Sequence, residues 1–448
     1  MTAVGVGVVL EEEKTLYYSV GGENILEITK EINLKKKGLW VMSKTIKVAY
    51  GRELEKGYDY RGALEEANRC LLCYEAPCSR SCPAGTDPGK FIRSLRFHNV
   101  MGAAATIRLH NPLGGVCAQV CPQEQLCQEG CSRSGIDKPI KIGRLQRFLV
   151  EEEARGHWSF LTTPKAHLGK VACVGAGPAG LSCARELALL GYQVTVFDKE
   201  IEPGGMLTYA IPPSRLANSL VEHDVKLIKE LGVSFKMGES ITPNKLSKLQ
   251  KEYQAVFLAV GMQEEKALAL PGSQLEGVIG ALAFLRAAKK LELSYTPGTK
   301  VIVIGGGDVA LDCAMTAKQL GGEATIVYRR TIEEAPADAK ALAEVQAMGI
   351  PLLCQFAPKE ILGVKSKLVG LKAQGRDERS ELFLAAEQLI IAIGQGLSED
   401  FVGFKEEGNV FLGGDMSSAK DHTVVEAVAS GKQAAEKIHA YLTGGAGA

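Results

Sequence analysis

The chain has 448 residues, of which 46% are hydrophobic and 23% charged, and its 52 Lys+Arg balance 52 Asp+Glu. This is a globular composition with length for about three domains, and a zero net charge removes the usual electrostatic argument for a nucleic-acid or acidic-membrane partner. No apolar run reaches the roughly 18 residues of a membrane span, and the start MTAVGVGVVLEEEK lacks a basic region ahead of its apolar patch, so no signal peptide is read and the cytoplasm is expected.

Residues 1–44 form an N-terminal arm with strand-like pieces at Thr15 to Val20 and Ile25 to Ile28 and a basic run, Lys35-Lys36-Lys37. It reads as a surface arm or hairpin and is assigned no function. Residues 45–160 read as a small helical domain, with helices expected over Ala63 to Arg69, Pro88 to Asn99, Met101 to His110 and Lys141 to Arg155. Eight of the twelve cysteines fall here, at 70, 73, 78, 82, 117, 121, 127 and 131, and are expected in loops and turns. They read C-x2-C-x4-C-x3-C-P and C-x3-C-P-x4-C-x3-C.

At Lys170 the period changes. The strand Val171 to Val174 leads into Gly175-Ala176-Gly177-Pro178-Ala179-Gly180, a helix Leu181 to Leu190 and a second strand Gln193 to Phe197 ending at Asp198. This is a βαβ unit with its glycine-rich loop at the strand-to-helix turn. Gly175 allows the tight turn, Gly177 lets a pyrophosphate approach the backbone, and Gly180 lets helix pack on strand. The helix N-terminus favours the anion. Asp198 lies 23 residues after Gly175, where a ribose-binding acid belongs. Lys199 and the run Pro203-Gly204-Gly205-Met206 are placed with this site, although that run could be only a turn.

The pattern recurs. Lys300 to Ile304 precedes Gly305-Gly306-Gly307-Asp308-Val309-Ala310, then a helix Leu311 to Leu320 and a strand Ala324 to Tyr328 ending in Arg329-Arg330. Alanine in the last loop position fits the fingerprint, and arginine at the acid position accommodates a 2′-phosphate, which leans the reading to NADP. Arginine also stacks on adenine in NAD sites. Two further buried strands end at glycines, Val256 to Gly261 and Leu389 to Gly394. Last come Gly413-Gly414-Asp415 and a helix from about Thr423. Asp415 suits a ribityl chain, and the helix start at Thr423 and Val424 suits a flavin ring; an ordinary N-terminal turn residue is the plainer reading of Asp415. The fold expected is α/β: an N-terminal α-helical domain, then two nested Rossmann-like domains. Residues 165–290 and 395–448 form a FAD domain, and 291–394 an NAD(P) domain inserted between them.

Three uses of the cysteines compete. Zinc prefers paired C-x2-C knuckles, and only Cys70 and Cys73 have that spacing. Disulfides are disfavoured in the expected compartment. Two iron–sulfur clusters account for the steps Cys82-Pro83 and Cys121-Pro122, since in two-cluster ferredoxins the Cys before Pro ligates the other cluster. Clusters also match the two nucleotide loops, because hydride donors give two electrons and clusters pass one. On that logic Cys70, Cys73 and Cys78 hold one cluster, Cys82 crosses to the second, and the first takes its fourth ligand from the later group.

The runs Arg69-Cys70-Leu71-Leu72-Cys73, Ala76-Pro77-Cys78, Cys82-Pro83-Ala84 and Thr86-Asp87-Pro88-Gly89-Lys90-Phe91-Ile92-Arg93-Ser94 resemble the flavin/iron–sulfur subunit of bacterial NAD-dependent dihydropyrimidine dehydrogenase. They are also similar to the N-terminal half of the large single-chain dihydropyrimidine dehydrogenases. Glutamate synthase small subunits belong to the same superfamily. The resemblance implies a helical domain with two 4Fe-4S clusters, then FAD and NAD(P) domains of adrenodoxin-reductase type. It implies that Cys70, Cys73, Cys78 and Cys131 hold one cluster, and that Cys82, Cys121, Cys127 and Gln146 hold the other. Cys117 is then spare; the alternative is Cys117 as ligand with Gln146 only hydrogen-bonded. Cys173, Cys183, Cys313 and Cys354 match no ligand position and are expected in the core.

The expected function is transfer of hydride from NAD(P)H onto FAD and of electrons through the two clusters to a partner. No catalytic side chain is named, because the flavin does the chemistry. The length after the flavin domain leaves no room for an FMN barrel, so the expected partner is an FMN-bearing subunit that reduces uracil or thymine, or a ferredoxin-like acceptor. The rival readings are the electron-input subunit of a glutamate synthase or of a ferredoxin:NAD(P) transhydrogenase.

Overall fold

A computed structural model of the chain describes residues 5–10, 14–19, 50–51, 53, 55–164, 168–417 and 422–444. The chain forms two compact units, one of Glu53–Met262 with Leu397–Ala448 and another of Met1–Arg52 with Gln263–Gly396.

In the first unit, helix starts follow local capping. Asp59 caps Tyr60–Asn68 through Gly62 N, Asp87 caps Pro88–Arg96 through Lys90 N, and Asn99 caps Val100–His110 through Gly102 N. Proline stands at the start of Pro88–Arg96, where its missing N–H does no harm. Phe91, Ile92 and Leu95 share one face and are buried with Ile107, Leu145, Phe148 and Leu149. Two cysteines expected in loops are helical: Cys78 lies in the single turn Pro77–Arg80, and Cys117 in Gly114–Val120. Short helices without apolar periodicity give no signal to a reading built on amphipathic spacing.

The same unit carries a five-stranded parallel sheet in the order Val410–Leu412, Ala255–Leu258, Lys170–Val174, Gln193–Asp198, Ser234–Met237. A strand near the end of the chain thus completes a sheet begun at Lys170. The final helix, Val424–Leu442, starts with a capping box between Thr423 and Glu426. It packs against the helix Pro178–Leu190. One buried cluster combines Leu181, Leu187, Val428 and Ile438 with Ala84, Leu113, Val116 and Cys117, so the cysteine-bearing helices and the sheet share a core.

The second unit holds another five-stranded parallel sheet, in the order Leu352–Cys354, Glu323–Tyr328, Lys300–Ile304, Gln388–Ile391, Val278–Gly280. An antiparallel meander of Phe356–Val364, Lys367–Gly375 and Glu381–Ala385 is extended by Gly5–Leu10 and Lys14–Ser19, which pair as a hairpin. The strand read at Thr15 to Val20 is therefore Lys14–Ser19; the piece Ile25 to Ile28 lies outside the described residues. No helix among the described residues is long and apolar enough to cross a membrane.

Candidate redox site

All eight cysteines of the helical region are free thiols. The structure sorts them by which sulfurs act on one another. Cys131 is the thiol that presses hardest on both Cys70 and Cys78, and Cys73 also acts on Cys70. Cys121 feels Cys117, Cys127 and Cys82, while Cys127 and Cys117 each feel Cys82 first among thiols. Cys131 thus acts on Cys70 and Cys78, and Cys82 acts on Cys117, Cys121 and Cys127, while Cys78 also acts on Cys127. Burial pushes the Cys78 thiol up to about 11 and the Cys117 and Cys127 thiols up to about 12, with neighbouring sulfurs adding to the rise. It raises Cys121 as well. Crowded, half-desolvated thiols that form no disulfide are stabilised by a cation that takes them as thiolates. Among the described residues no three His, Cys, Asp or Glu side chains gather as ligands of a single metal ion. Eight thiols gathered in one region supply the donor set that an iron–sulfur group takes.

Gln146 is buried on the helix Ile142–Gly156, and its Nε2 donates to Gly114 O at 2.7 Å. That bond is made by the amide nitrogen and does not use the carbonyl oxygen, the atom able to ligate iron. Cys117 lies three residues after Gly114 on the adjoining helix, almost fully buried, with its sulfur 4.0 Å from Asn111 Oδ1. Sequence reasoning missed Gln123, which ties this region together. It donates to Ala118 O at 2.9 Å and accepts from Gln128 Nε2 at 2.8 Å and from Gly143 N at 3.0 Å.

The first glycine loop is closely built. A Cβ on Gly180 would lie 1.8 Å from Gly175 O, and one on Gly175, at φ +107°, would lie 2.2 Å from Ala259 O. Gly177 has nothing within 4 Å of a Cβ, which leaves its backbone open to an approaching ligand. Pro178 opens the helix and Ala179 follows it. Gly204 N donates to Ala176 O at 2.8 Å, and Gly205, just before the helix Met206–Tyr209, sits against the Gly177 backbone. Gly414 comes up against Ala179, and its N–H donates to Ser430 Oγ at 2.9 Å. Burial raises the Asp415 carboxyl, opposed by His422, whose Nδ1 is 3.6 Å away. Thr423 and Val424 stand at the start of the final helix, and Gly261 follows the Ala255–Leu258 strand at positive φ. Asp198 also braces this loop from within. Its Oδ2 accepts from Ala176 N at 2.6 Å and its Oδ1 from Glu200 N at 2.8 Å. The acid read as a ribose ligand thus holds the loop in shape, and each oxygen keeps a further lone pair for a hydroxyl. Lys199 follows it in the chain. Four separated stretches therefore meet at one loop whose open point is Gly177, an arrangement that fits a dinucleotide.

In the other unit, a Cβ on Gly305 would lie 2.2 Å from Ala392 O and one on Gly306 2.4 Å from the Tyr328 ring, whereas Gly307 is open but for Pro336 at 3.7 Å. Asp308 begins the helix Asp308–Gln319, followed by Val309, and accepts from Asp338 N at 3.0 Å; Ala310 is buried. Arg329 and Arg330 leave the strand end exposed. Gly394, at φ +113°, follows the Gln388–Ile391 strand.

Comparison with known proteins adds to this geometry. Residues 47–158 match the family described as dihydropyrimidine dehydrogenase domain II, 4Fe-4S cluster, and residues 169–425 match pyridine nucleotide-disulphide oxidoreductase. The chain is 42% identical over 412 residues to the NAD-dependent dihydropyrimidine dehydrogenase subunit PreT of Salmonella typhimurium, covering 88% of this chain and 97% of that protein. It is 41% identical to the Escherichia coli K12 protein of that name, covering 88% and 98%. The NADP(+)-dependent formate dehydrogenase subunit beta of Moorella thermoacetica is 31% identical over 465 residues, 89% of this chain and 65% of that one. Among solved structures, 2-naphthoyl-CoA reductase superposes with a TM-score of 0.54 at 18% identity, over 80% of this chain and 50% of that one. FprA, a Mycobacterium tuberculosis oxidoreductase, gives 0.51 at 18%, over 62% and 85%. At these identities the solved structures speak to the fold alone.

Proposed function

From a chain that belongs to the family of the NAD-dependent dihydropyrimidine dehydrogenase subunit PreT, we infer an electron-input subunit that takes hydride from NAD(P)H and delivers electrons to a partner. It is an NAD(P)H-dependent oxidoreductase that binds an iron–sulfur group and a flavin, and it works as one subunit of a hetero-oligomer. The observation that carries this reading is the shared core of the first unit: the Cys82 loop, the Cys117 helix and the helix of the first glycine loop are packed together.

The finer assignments are proposals. Two 4Fe-4S clusters are held, one by Cys70, Cys73, Cys78 and Cys131 and the other by Cys82, Cys121, Cys127 and the Gln146 carbonyl. The action of Cys131 on Cys70 and Cys78 and of Cys82 on Cys121 and Cys127 supports these sets, and Gln146 as the last ligand rests on the family resemblance. FAD would be held at Gly177 with Gly204, Gly205, Gly261, Gly414, Asp415, Thr423 and Val424, and NAD(P)H at Gly305, Gly306 and Gly307. The exposed pair Arg329 and Arg330 supports NADPH over NADH. The partner carries FMN and reduces uracil or thymine, and the complex is cytoplasmic.

When bound, the flavin accepts hydride and the clusters pass electrons singly. The chain's residues orient and insulate these groups. Gly177 leaves room for the pyrophosphate, the helix from Pro178 presents its N–H groups to it, and the shared core excludes water between flavin and cluster regions. The test is dye reduction by the isolated chain. Reduction of an artificial acceptor with NAD(P)H, without reduction of uracil, is expected; uracil reduction by the chain alone refutes the reading. Purification of the native complex identifies the partner, and a glutamine amidotransferase there would move the chain to the glutamate synthase class.

A further inference from the structure

Lys432 belongs to neither the glycine loops nor the cysteine motifs. It sits in the final helix, directly after Gly431, which lies so close to the first glycine loop that a Cβ there would be 2.2 Å from Ala179 O. From that point the lysine side chain reaches the cysteine region. Its Nζ donates to Ala84 O at 2.6 Å and to His110 O at 2.7 Å. Ala84 lies in the turn Cys82-Pro83-Ala84-Gly85, closed by Gly85 N to Cys82 O at 3.0 Å. His110 ends the helix Val100–His110, and the chain then enters the helix that holds Cys117. The Cys82 sulfur contributes to the field at the ammonium. One residue of the helix therefore touches the flavin loop, and the next grips the turn that bears Cys82.

Two neutral carbonyls are a sparse environment for a half-buried ammonium. Burial pushes the ammonium's pKa below that of a free lysine, with Arg185 acting the same way, while Glu186, Cys82 and Glu436 favour the charge through space. A carboxylate in direct contact would neutralise the ammonium, but the structure places carbonyls there, so the charge remains available to whatever Cys82 binds. A positive charge beside a cluster favours the form with one more electron.

We propose that Lys432 is a positioning residue at the junction of flavin and second cluster, which fixes the Cys82 turn on the flavin helix and raises that cluster's reduction potential. The proposal rests on the reading of Cys82 as a ligand of a cluster next to the flavin.

The test is an EPR-monitored potentiometric titration of the full anaerobic chain, parent against K432Q and K432R, with iron and flavin counted in each. K432Q is expected to disfavour reduction of one cluster about tenfold, a lowering of about 59 mV for a one-electron couple, and to leave the other unmoved. K432R keeps the charge and is expected to stay near the parent. Unchanged potentials in K432Q, equal shifts in both clusters, or K432R behaving as K432Q would overturn the proposal. A K432Q chain that loses iron while K432R keeps it also overturns the potential-setting role and leaves a structural tie. A parent chain with one cluster or no flavin refutes the functional reading itself, and this is seen before any variant is compared.

Discussion

The ion cluster where the helical region meets the flavin sheet gives a sharp test of how the first unit is held together. Arg108 donates from Nε to Glu153 Oε2 at 2.7 Å and from Nη1 to Asp224 Oδ1 at 2.6 Å, and the three side chains are 3%, 1% and 0% exposed. Asp224 also accepts from Val116 N at 3.0 Å and Gly115 N at 3.4 Å, at the start of the Cys117 helix. Burial raises the Asp224 carboxyl despite Arg108, whereas at Glu153 the His223 hydrogen bond and the Arg108 charge outweigh burial and hold it low. Replacing Asp224 with Ala leaves a buried guanidinium one partner short and strands two N–H groups. Breaking a buried pair costs about 3–5 kcal/mol, and Glu153 remains, so the lower end, about 3 kcal/mol, is expected. With a urea slope of about 3 kcal/mol per molar, the midpoint falls by about 1 M. Flavin release and cluster bleaching, followed in one sample, are expected to shift together because Asp224 joins the two regions. The double variant Arg108→Met with Asp224→Ala is expected to recover part of the loss, since Glu153 keeps His223 at 3.3 Å. A D224A midpoint within about 0.2 M of the parent would refute this account.

Other expectations concern the cofactors directly. Gln146→Ala is expected to lower iron from about eight to about four per chain or to change one cluster's spectrum, while Cys117→Ser keeps both clusters; the reverse pattern makes Cys117 the ligand. Gly177→Ala, in open space at an ordinary φ of −78°, is expected to fold, keep its iron and lose flavin. Gly180→Ala, with its Cβ 1.8 Å from a backbone oxygen, is expected to give insoluble or flavin-free chain, and two variants that behave alike would contradict the distinction. Arg330→Glu is expected to cut kcat/KM with NADPH about 10- to 100-fold relative to NADH, the range of a lost charged hydrogen bond. A parent that already prefers NADH refutes the arginine reading.

How legible the molecule is follows from the range of each signal. Strand, glycine loop and helix are adjacent in sequence, so the two βαβ units and the α/β class are readable from local spacing, as are the helix faces of Phe91, Ile92 and Leu95. The Cys-Pro steps carry their own chemistry, and the family resemblance supplies the remaining ligand assignments, Gln146 among them. Cys78 and Cys117 read as loop residues because helices of 4 and 7 residues are too short to show a period. Arg108, Glu153 and Asp224 belong to three helices and resemble ordinary surface charges until packing buries them. Lys432 leaves a fainter trace, a cation on a face lined by Val428, Gly431 and Ala435. Sequence by itself determined the chemistry on offer: thiols in register, glycines where backbone must approach phosphate, and arginines at a strand end. Tertiary structure alone decided that Arg108, Glu153 and Asp224 meet in one buried ion cluster, that Asp198 braces the loop, and that one lysine reaches from the final helix to the Cys82 turn. Those facts join residues as far apart as Ala84 and Lys432, and no local pattern encodes a contact that exists only after the chain has folded back on itself.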